Sequence, residues 1–442
     1  MKNILVIGAG RSATSLISYL LNNAKANNWF VNVADYSLSL AEEAVSQNKR
    51  GRALFFDVND KNQRYEEIKK SDIIVSMLPA SMHILVALDC VHLKKNLVTA
   101  SYVSDEILQL DDAAKENGVL LLNEIGLDPG IDHMSAMQII DDIKEKGGEL
   151  ISFKSFCGGL IHPDYDNNPW NYKFTWNPRN VVLAGQGVAQ FIEGGEIKYV
   201  PYNNLFKRIE NMDILDVGSF EAYPNRDSLS YINSYDIEGI ENLIRGTLRR
   251  KGYCSSWNYF IQLGLTDNSY TIQNSEFLTY REFINMFLPY AKELSVEEKF
   301  CMEFGISKKS QAFNKFLWLD LFTDKKVEVK NATPAQILQK ILEEKWSLSN
   351  DDRDMIVMQH QFKYNFNGKC NKLKSSLVVY GDNQKDTSMA KTVGLPVGIA
   401  VKLILNGEIS SIGVKIPTTK DIYVPVLKEL SENGLRFIEE IN

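Results

Sequence analysis

Cysteine and proline are scarce in this chain of 442 residues, with 5 and 12 of each. The cysteines stand at 90, 157, 254, 301 and 370, odd in number and never as CxxC, so their spacing reads as neither a disulfide framework nor a structural zinc site. That usage suits a reducing cytoplasm. Histidines number 5, and His133 forms no HxxxH or HxH pair, so no metal is expected. Positive charge is also short, 49 Lys and Arg against 56 Asp and Glu, and the net charge of −7 argues against a nucleic-acid binder. A local arginine cluster for an anionic substrate stays compatible with it. The first apolar run, residues 4–7, is too short for a signal peptide, and no other stretch reads as a membrane span. The expectation is a soluble, cytoplasmic protein with no membrane partner, without repeats or low-complexity tracts.

What is present is an ordinary globular composition, 44% hydrophobic and 24% charged, in a chain long enough for two or three domains. Residues 1–126 alternate short apolar runs (3–7, 30–34, 53–56, 73–77, 97–99, 119–122) with helical patterns (12–22, 37–48). This implies a doubly wound parallel sheet with ligands at the carboxyl ends of its strands. A helical pattern follows at 131–146, and loops rich in Gly, Asn, Pro and Trp run over 151–205. The stretch 206–300 reads as mostly helical and 350–382 as strands, followed by helices at 387–405 and near 424–441.

Gly8-Ala9-Gly10-Arg11-Ser12-Ala13 fits GxGxxA between the first strand and the first helix. Gly8 permits the tight turn, Gly10 the approach of a pyrophosphate, and Ala13 close helix–strand packing; the helix N-terminus offers N–H groups and its positive dipole end. Asp35 ends the second strand, where a carboxylate can bond both ribose hydroxyls and repel a 2′-phosphate, and neither Tyr36 nor Ser37 supplies a cation. The sequence therefore predicts NAD in preference to NADP. By topology, Asp57 and Val58 flank the adenine, and Leu78 and Pro79 cross the middle of the cofactor. A nicotinamide-dependent oxidoreductase is implied.

Polar segments beyond residue 100 hold carboxylates, hydroxyls, a thiol and guanidinium groups near loops, which by themselves name no reaction. Six segments carry a resemblance: NEIGLDPGIDH (123–133), KSFCGGL (154–160), NPWNYKFTWNPR (168–179), EAYPNRDS (221–228), IRGTLR (244–249) and MAKTVGLP (389–396). Together they resemble the saccharopine dehydrogenases of the L-glutamate-forming type, over essentially the whole chain. The resemblance implies an α/β fold: a Rossmann domain (1–126 plus about 395–442), an inserted α/β substrate and dimerisation domain (127–205 plus about 300–394) and a helical subdomain (206–299). It also implies a homodimer, and a monofunctional enzyme without the lysine–ketoglutarate reductase unit fused ahead of this domain in animal and plant proteins.

The activity implied is oxidation of saccharopine to an imine, then hydrolysis to glutamate and 2-aminoadipate semialdehyde. The same matching segments suggest Asp128 for proton transfer, with Cys157, Tyr102 and water as alternatives. Ser101, Tyr102, Cys157 and Gly158 line the substrate, Arg226 with Asn225 clamps a carboxylate, and Arg245, Thr247 and Arg179 support it. Two rivals are a carboxyspermidine or homospermidine-type dehydrogenase, whose polyamine substrate would want acidic rather than arginine-bearing motifs, and a non-catalytic NAD-binding sensor subunit.

Overall fold

The computed structural model describes residues 1–184 and 186–441. Six strands open the chain: β1 (Lys2–Ile7), β2 (Trp29–Asp35), β3 (Gly51–Phe55), β4 (Ile73–Ser76), β5 (Asn96–Val98) and β6 (Leu120–Leu122). Then come β7 (Glu149–Ile161), β8 (Ala189–Glu193), β9 (Glu196–Val200), β10 (Glu210–Ile214), β11 (Gly218–Pro224), β12 (Asn242–Arg250), β13 (Asp354–Phe366) and β14 (Lys369–Tyr380). Two short strands finish the set, β15 (Gly413–Lys415) and β16 (Ile438–Ile441).

The first sheet has the order β15-β6-β5-β4-β1-β2-β3 and is parallel throughout. Its strands read as unbroken apolar runs because both faces are covered. Ile4 and Val6 pack into one core with helices Thr14–Ala24 and Ser388–Leu405, while Leu5 and Ile7 pack into another with Val86, Ala87 and Cys90. The α/β doubly wound sheet expected from the sequence is what forms.

The second sheet runs β10-β11-β12-β7-β13-β14-β16, with β8 pairing both β12 and β9. It corrects the reading of 206–299 as helical, since β10, β11 and β12 all lie there. Charged and apolar residues alternate in β10 (ENMDI), and such a half-exposed edge strand has no long apolar run to announce it. The helices instead gather between Tyr253–Gln262 and Pro334–Trp346, around buried Trp170, Trp257 and Trp346. The end of the chain differs too: the last helix is Lys420–Glu432, and β16 pairs with β14 of the second sheet.

Helix Ser388–Leu405 is long and apolar enough to cross a membrane by length and composition, with mean hydropathy 1.5, although the sequence reading found no such stretch. In the fold it is 67% buried and lies against Thr14–Ala24. A Cβ on Gly394 would sit 2.7 Å from Leu16 N, so only glycine lets the two helices approach this closely. Asp354, at the start of β13, accepts from the N–H groups of Ser388 (2.6 Å) and Met389 (3.0 Å). The second sheet is thereby tied to the helix that covers the first.

Candidate active site

The carboxyl ends of β1, β2, β4 and β5 carry the loops of one cleft system. Gly8 follows β1 at φ 104°, and a Cβ there would stand 2.8 Å from the Met77 carbonyl oxygen; around Gly10 the space is open. The short turn Arg11–Ala13, which runs straight into helix Thr14–Ala24, begins without a side-chain cap, and of its N–H groups only that of Ala13 bonds back to the Gly10 carbonyl. Asp35, Tyr36, Asp57, Val58, Leu78 and Pro79 line a cleft of about 480 Å³ beside it. Arg11 and Ser12 line a larger one of about 730 Å³, shared with Thr175, Trp176 and Met389. A glycine turn that leaves no room for a side chain, an uncapped helix start and a cleft with apolar walls fit a dinucleotide. Gly8→Ala is expected to cost about 1–3 kcal/mol of stability, through backbone strain and the clash with Met77, and to weaken dinucleotide binding; denaturant unfolding and cofactor fluorescence titration check both.

The substrate-facing end is built from the loop after β6. Asp128, in a cis peptide with Pro129, is 22% exposed and opens onto a cleft of about 170 Å³ also lined by Tyr102, Asn225, Arg226, Asp227, Tyr231 and Arg245. Arg245, buried in β12, bonds through one guanidinium nitrogen to both Asp128 and Asp132. Its guanidinium also lies 4.0 Å from the centre of the Tyr231 ring. Asp132 stands in the first turn of helix Ile131–Glu145, where its other oxygen accepts from Gly130 N–H at 2.6 Å. The Nε2–H of His133 donates to Glu124 Oε2 (2.8 Å), and its Nδ1 lies 2.7 Å from the Tyr235 hydroxyl. Glu124 Oε1 accepts from Val103 N–H at 3.0 Å, so the carboxylate also braces the Tyr102 loop.

The two aspartates beside Arg245 are driven apart. Burial pushes the Asp128 carboxyl above its ordinary range, partly offset by Arg245 and reinforced by the negative Asp132. Burial acts on Asp132 in the same sense, but His133, Arg245 and the Gly130 N–H outweigh it and hold that carboxyl low. One acid is thus poised to carry a proton, and its neighbour stays ionised. Tyr102 is partly exposed, and burial of its phenol with the Asp128 charge pushes it up. Its hydroxyl donates to Asp128 Oδ1 at 3.4 Å.

Behind this cleft lies a buried bridge. His83 lies 2.8 Å from Ser76 Oγ, at the end of β4, and 2.8 Å from Ser101 Oγ, after β5. Burial pushes its pKa down to about 4, so it is neutral at physiological pH.

Tyr102, Asp128, Asn225, Arg226 and Arg245 of the expected substrate set share one cleft. Ser101 is turned inward to His83. Cys157 and Gly158 lie in β7 outside the cleft lining, and burial, then Asp128, pushes the Cys157 thiol well up, so it stays protonated. Thr247 pairs with Tyr223 in the sheet, also off the lining. Arg179 reaches Asn268 near the helical cluster instead. Arg245 lines the cleft with its charge shared between two aspartates, whereas Arg226 lines it with no ion pair among the described residues. Sequence reasoning missed Glu124, Asp132, His83, Tyr231 and Tyr235. The first two stand inside NEIGLDPGIDH, where their residue types were visible but their partners were not.

Residues 4–122 match the family model described as the saccharopine dehydrogenase NADP binding domain, and 126–435 match the saccharopine dehydrogenase C-terminal domain. The chain is 33% identical to saccharopine dehydrogenase [NADP(+), L-glutamate-forming] of Schizosaccharomyces pombe, over 100% of this chain and 99% of that one. The apo saccharopine dehydrogenase (L-Glu forming) of Saccharomyces cerevisiae superposes with a TM-score of 0.91 at 31% identity, covering 100% of both chains. The homospermidine synthase of Legionella pneumophila, with a TM-score of 0.57 at 9% identity over 100% of this chain and 91% of that one, shares the fold alone.

These likenesses overturn the expectation of NAD over NADP: the matching N-terminal domain is described as NADP binding, and the fission yeast relative is named for NADP(+). Asp35 Oδ2 accepts from Ala9 N–H and Oδ1 from Ser37 N–H, both at 2.7 Å, so the carboxylate that the sequence assigned to the ribose also braces the glycine loop.

Proposed function

From the premise that the chain belongs to the saccharopine dehydrogenase family, oxidoreductases acting on a CH–NH bond, we propose that it oxidises saccharopine with NADP+ and hydrolyses the resulting imine to L-glutamate and 2-aminoadipate 6-semialdehyde, in lysine metabolism. One observation carries the reading: a partly exposed carboxylate of raised pKa, Asp128, faces a cleft with a guanidinium, Arg226, that has no ion pair among the described residues. That pairs a proton carrier with a carboxylate anchor, as a substrate with an amine flanked by carboxylates demands.

Bound NADP+ supplies the hydride acceptor. Gly8, Gly10 and the N–H groups of Arg11 and Ser12 would hold its pyrophosphate. The hydroxyls of Ser37 and Ser39, 2.9 Å apart where helix Leu38–Val45 begins without a capping bond, would hold its 2′-phosphate.

Asp128 takes the proton of the substrate ammonium, freeing the lone pair whose donation expels hydride from the adjacent C–H bond. It releases that proton through the open cleft and accepts one from the water that attacks the iminium carbon. It then returns this proton to the nitrogen as the C–N bond breaks, while the carbinolamine hydroxyl loses its own proton to water in the open cleft and becomes the aldehyde carbonyl. Tyr102 orients the Asp128 oxygen from one side, and Arg226 with Asn225 holds a substrate carboxylate.

The test is turnover of saccharopine by the purified protein with NADP+ or NAD+, followed by absorbance of the reduced cofactor. No turnover with either defeats the reading, and turnover of a polyamine in place of saccharopine moves the protein to the homospermidine-type activity. Within the main reading, Arg226→Ala is expected to lower kcat/KM tens- to hundreds-fold, about 2–3 kcal/mol for a charge-assisted pair, chiefly through KM. Near-normal kcat/KM would remove the anchor.

A further inference from the structure

Arg245 is the only cation in direct contact with Asp128 among the described residues, and Asp128 does not hold it alone. The same nitrogen bonds Asp132, whose side chain is 2% exposed and which is fixed from behind by Gly130 N–H at 2.6 Å. Asp132 lies outside the cleft lining and has no route to the substrate. A buried carboxylate that touches neither substrate nor solvent needs another reason to be there, because burying an acid is costly unless it is paired. Its neighbours supply one.

We propose that Asp132 is a positioning residue that sets the protonation of Asp128 by sharing the Arg245 guanidinium with it. The inference rests on Asp128 being the proton carrier of the proposed reaction. With Asp132 ionised, the charge of Arg245 is divided between two carboxylates, and Asp128 receives too little of it to be locked as a permanent anion. It also feels the negative charge of Asp132 directly. Both effects raise the pH at which Asp128 gives up its proton, towards the range where a general base works best. The other groups facing Asp128 are fixed in place. Tyr102 reaches it from the loop after β5, and His133, itself bonded to Glu124 and Tyr235, from helix Ile131–Glu145. Cys157 lies on β7, and Arg249, four residues beyond Arg245 on β12, is turned away to the Tyr172 and Tyr253 rings. Buried His360 on β13, held through Ser135, has its pKa pushed down to about 4 by burial and adds no charge at neutral pH. Asp132 is therefore the ionised group that competes with Asp128 for the cation it touches.

Asp132→Asn keeps the size and removes the charge. Arg245 is then left to Asp128 alone, and the acid limb of the kcat/KM profile, which rises as Asp128 ionises, is expected to move about one unit to lower pH. A purely structural role for Asp132 would instead lower the rate at every pH and leave the limb in place, and that outcome overturns the proposal. Asp132→Ser, whose hydroxyl can still take the Gly130 N–H, should show the same displacement and serves if the Asn variant does not fold. The 13C-carboxyl NMR titration of Asp128, assigned through its loss in Asp128→Asn, reads the same ionisation without turnover. A shift there in a protein inactive on saccharopine would sink the proposed reaction but not the coupling, and an unshifted Asp128 signal in the charge-neutral variants sinks the coupling.

Discussion

Asp128→Asn is expected to lower kcat for saccharopine oxidation about 10²–10⁴-fold, the usual worth of a positioned general acid or base, with little change in KM. The side chain is nearly isosteric, and Asn can still accept from the Tyr102 hydroxyl and from Arg245, so the cleft keeps its shape; what it cannot do is take a proton. The pH dependence sharpens the test. Burial raises the Asp128 pKa, so the base form appears as pH rises through a value above the ordinary carboxylate range, and the wild-type rate should climb across that interval. In Asp128→Asn that limb disappears while substrate-amine ionisation remains. Initial rates across pH 4 to 10 with saturating dinucleotide would show it. A variant within a few-fold of wild type, with the acid limb intact, would move the proton to water or to another residue.

How much of this was legible in the sequence depends on how local the signal was. The GxGxxA turn and the doubly covered strands of the first sheet are written in consecutive residues, and they appear where they were expected. Asp35 was equally visible, but a carboxylate at the end of a strand has one letter whether or not it braces a loop, and its bonds from Ala9 and Ser37 N–H appear only in the fold. Edge strand β10 alternates apolar with polar residues, and the largely buried β11 and β12 carry Glu221, Arg245 and Arg249 inside them, so none of the three presents the long apolar run that marks a buried strand.

The site itself was half legible. Arg245 and Asp128 stand in quoted motifs 117 residues apart, and no spacing rule says that they meet, still less that Asp132 joins them. The same holds for His133. It sits five residues beyond Asp128, yet it turns to Glu124 and to Tyr235, which is 102 residues away. Its partners are set by where β6 and the Tyr231–Tyr235 helix end. Charge partnerships in a core are tertiary facts, and they decide which acid titrates.

Those partnerships also carry a stability consequence. Arg245→Ala is expected to destabilise the fold by about 3–5 kcal/mol at pH 8, the cost of leaving buried charge without its counter-ion. It also removes the stacking over Tyr231. The loss must depend on pH with a definite sign. In the variant both carboxyls lose a cation that favours their charged forms, so both folded-state pKa values rise, and that of Asp128 moves further above the unfolded value of about 3.9. Such groups cause no destabilisation below the unfolded pKa, where both states are protonated, and their penalty grows as pH rises through the folded value. In the wild type the contribution of Asp132, whose pKa is lowered, runs the other way: it is present above the unfolded pKa and fades as pH falls. Both trends narrow the gap between the two proteins on acidification. Urea unfolding at pH 8 and pH 5 should therefore find the variant far weaker at the higher pH and closer to wild type at the lower. An equal gap at both would mean that Arg245 acts there through packing alone, and that the charge-sharing on which the behaviour of Asp128 depends is absent.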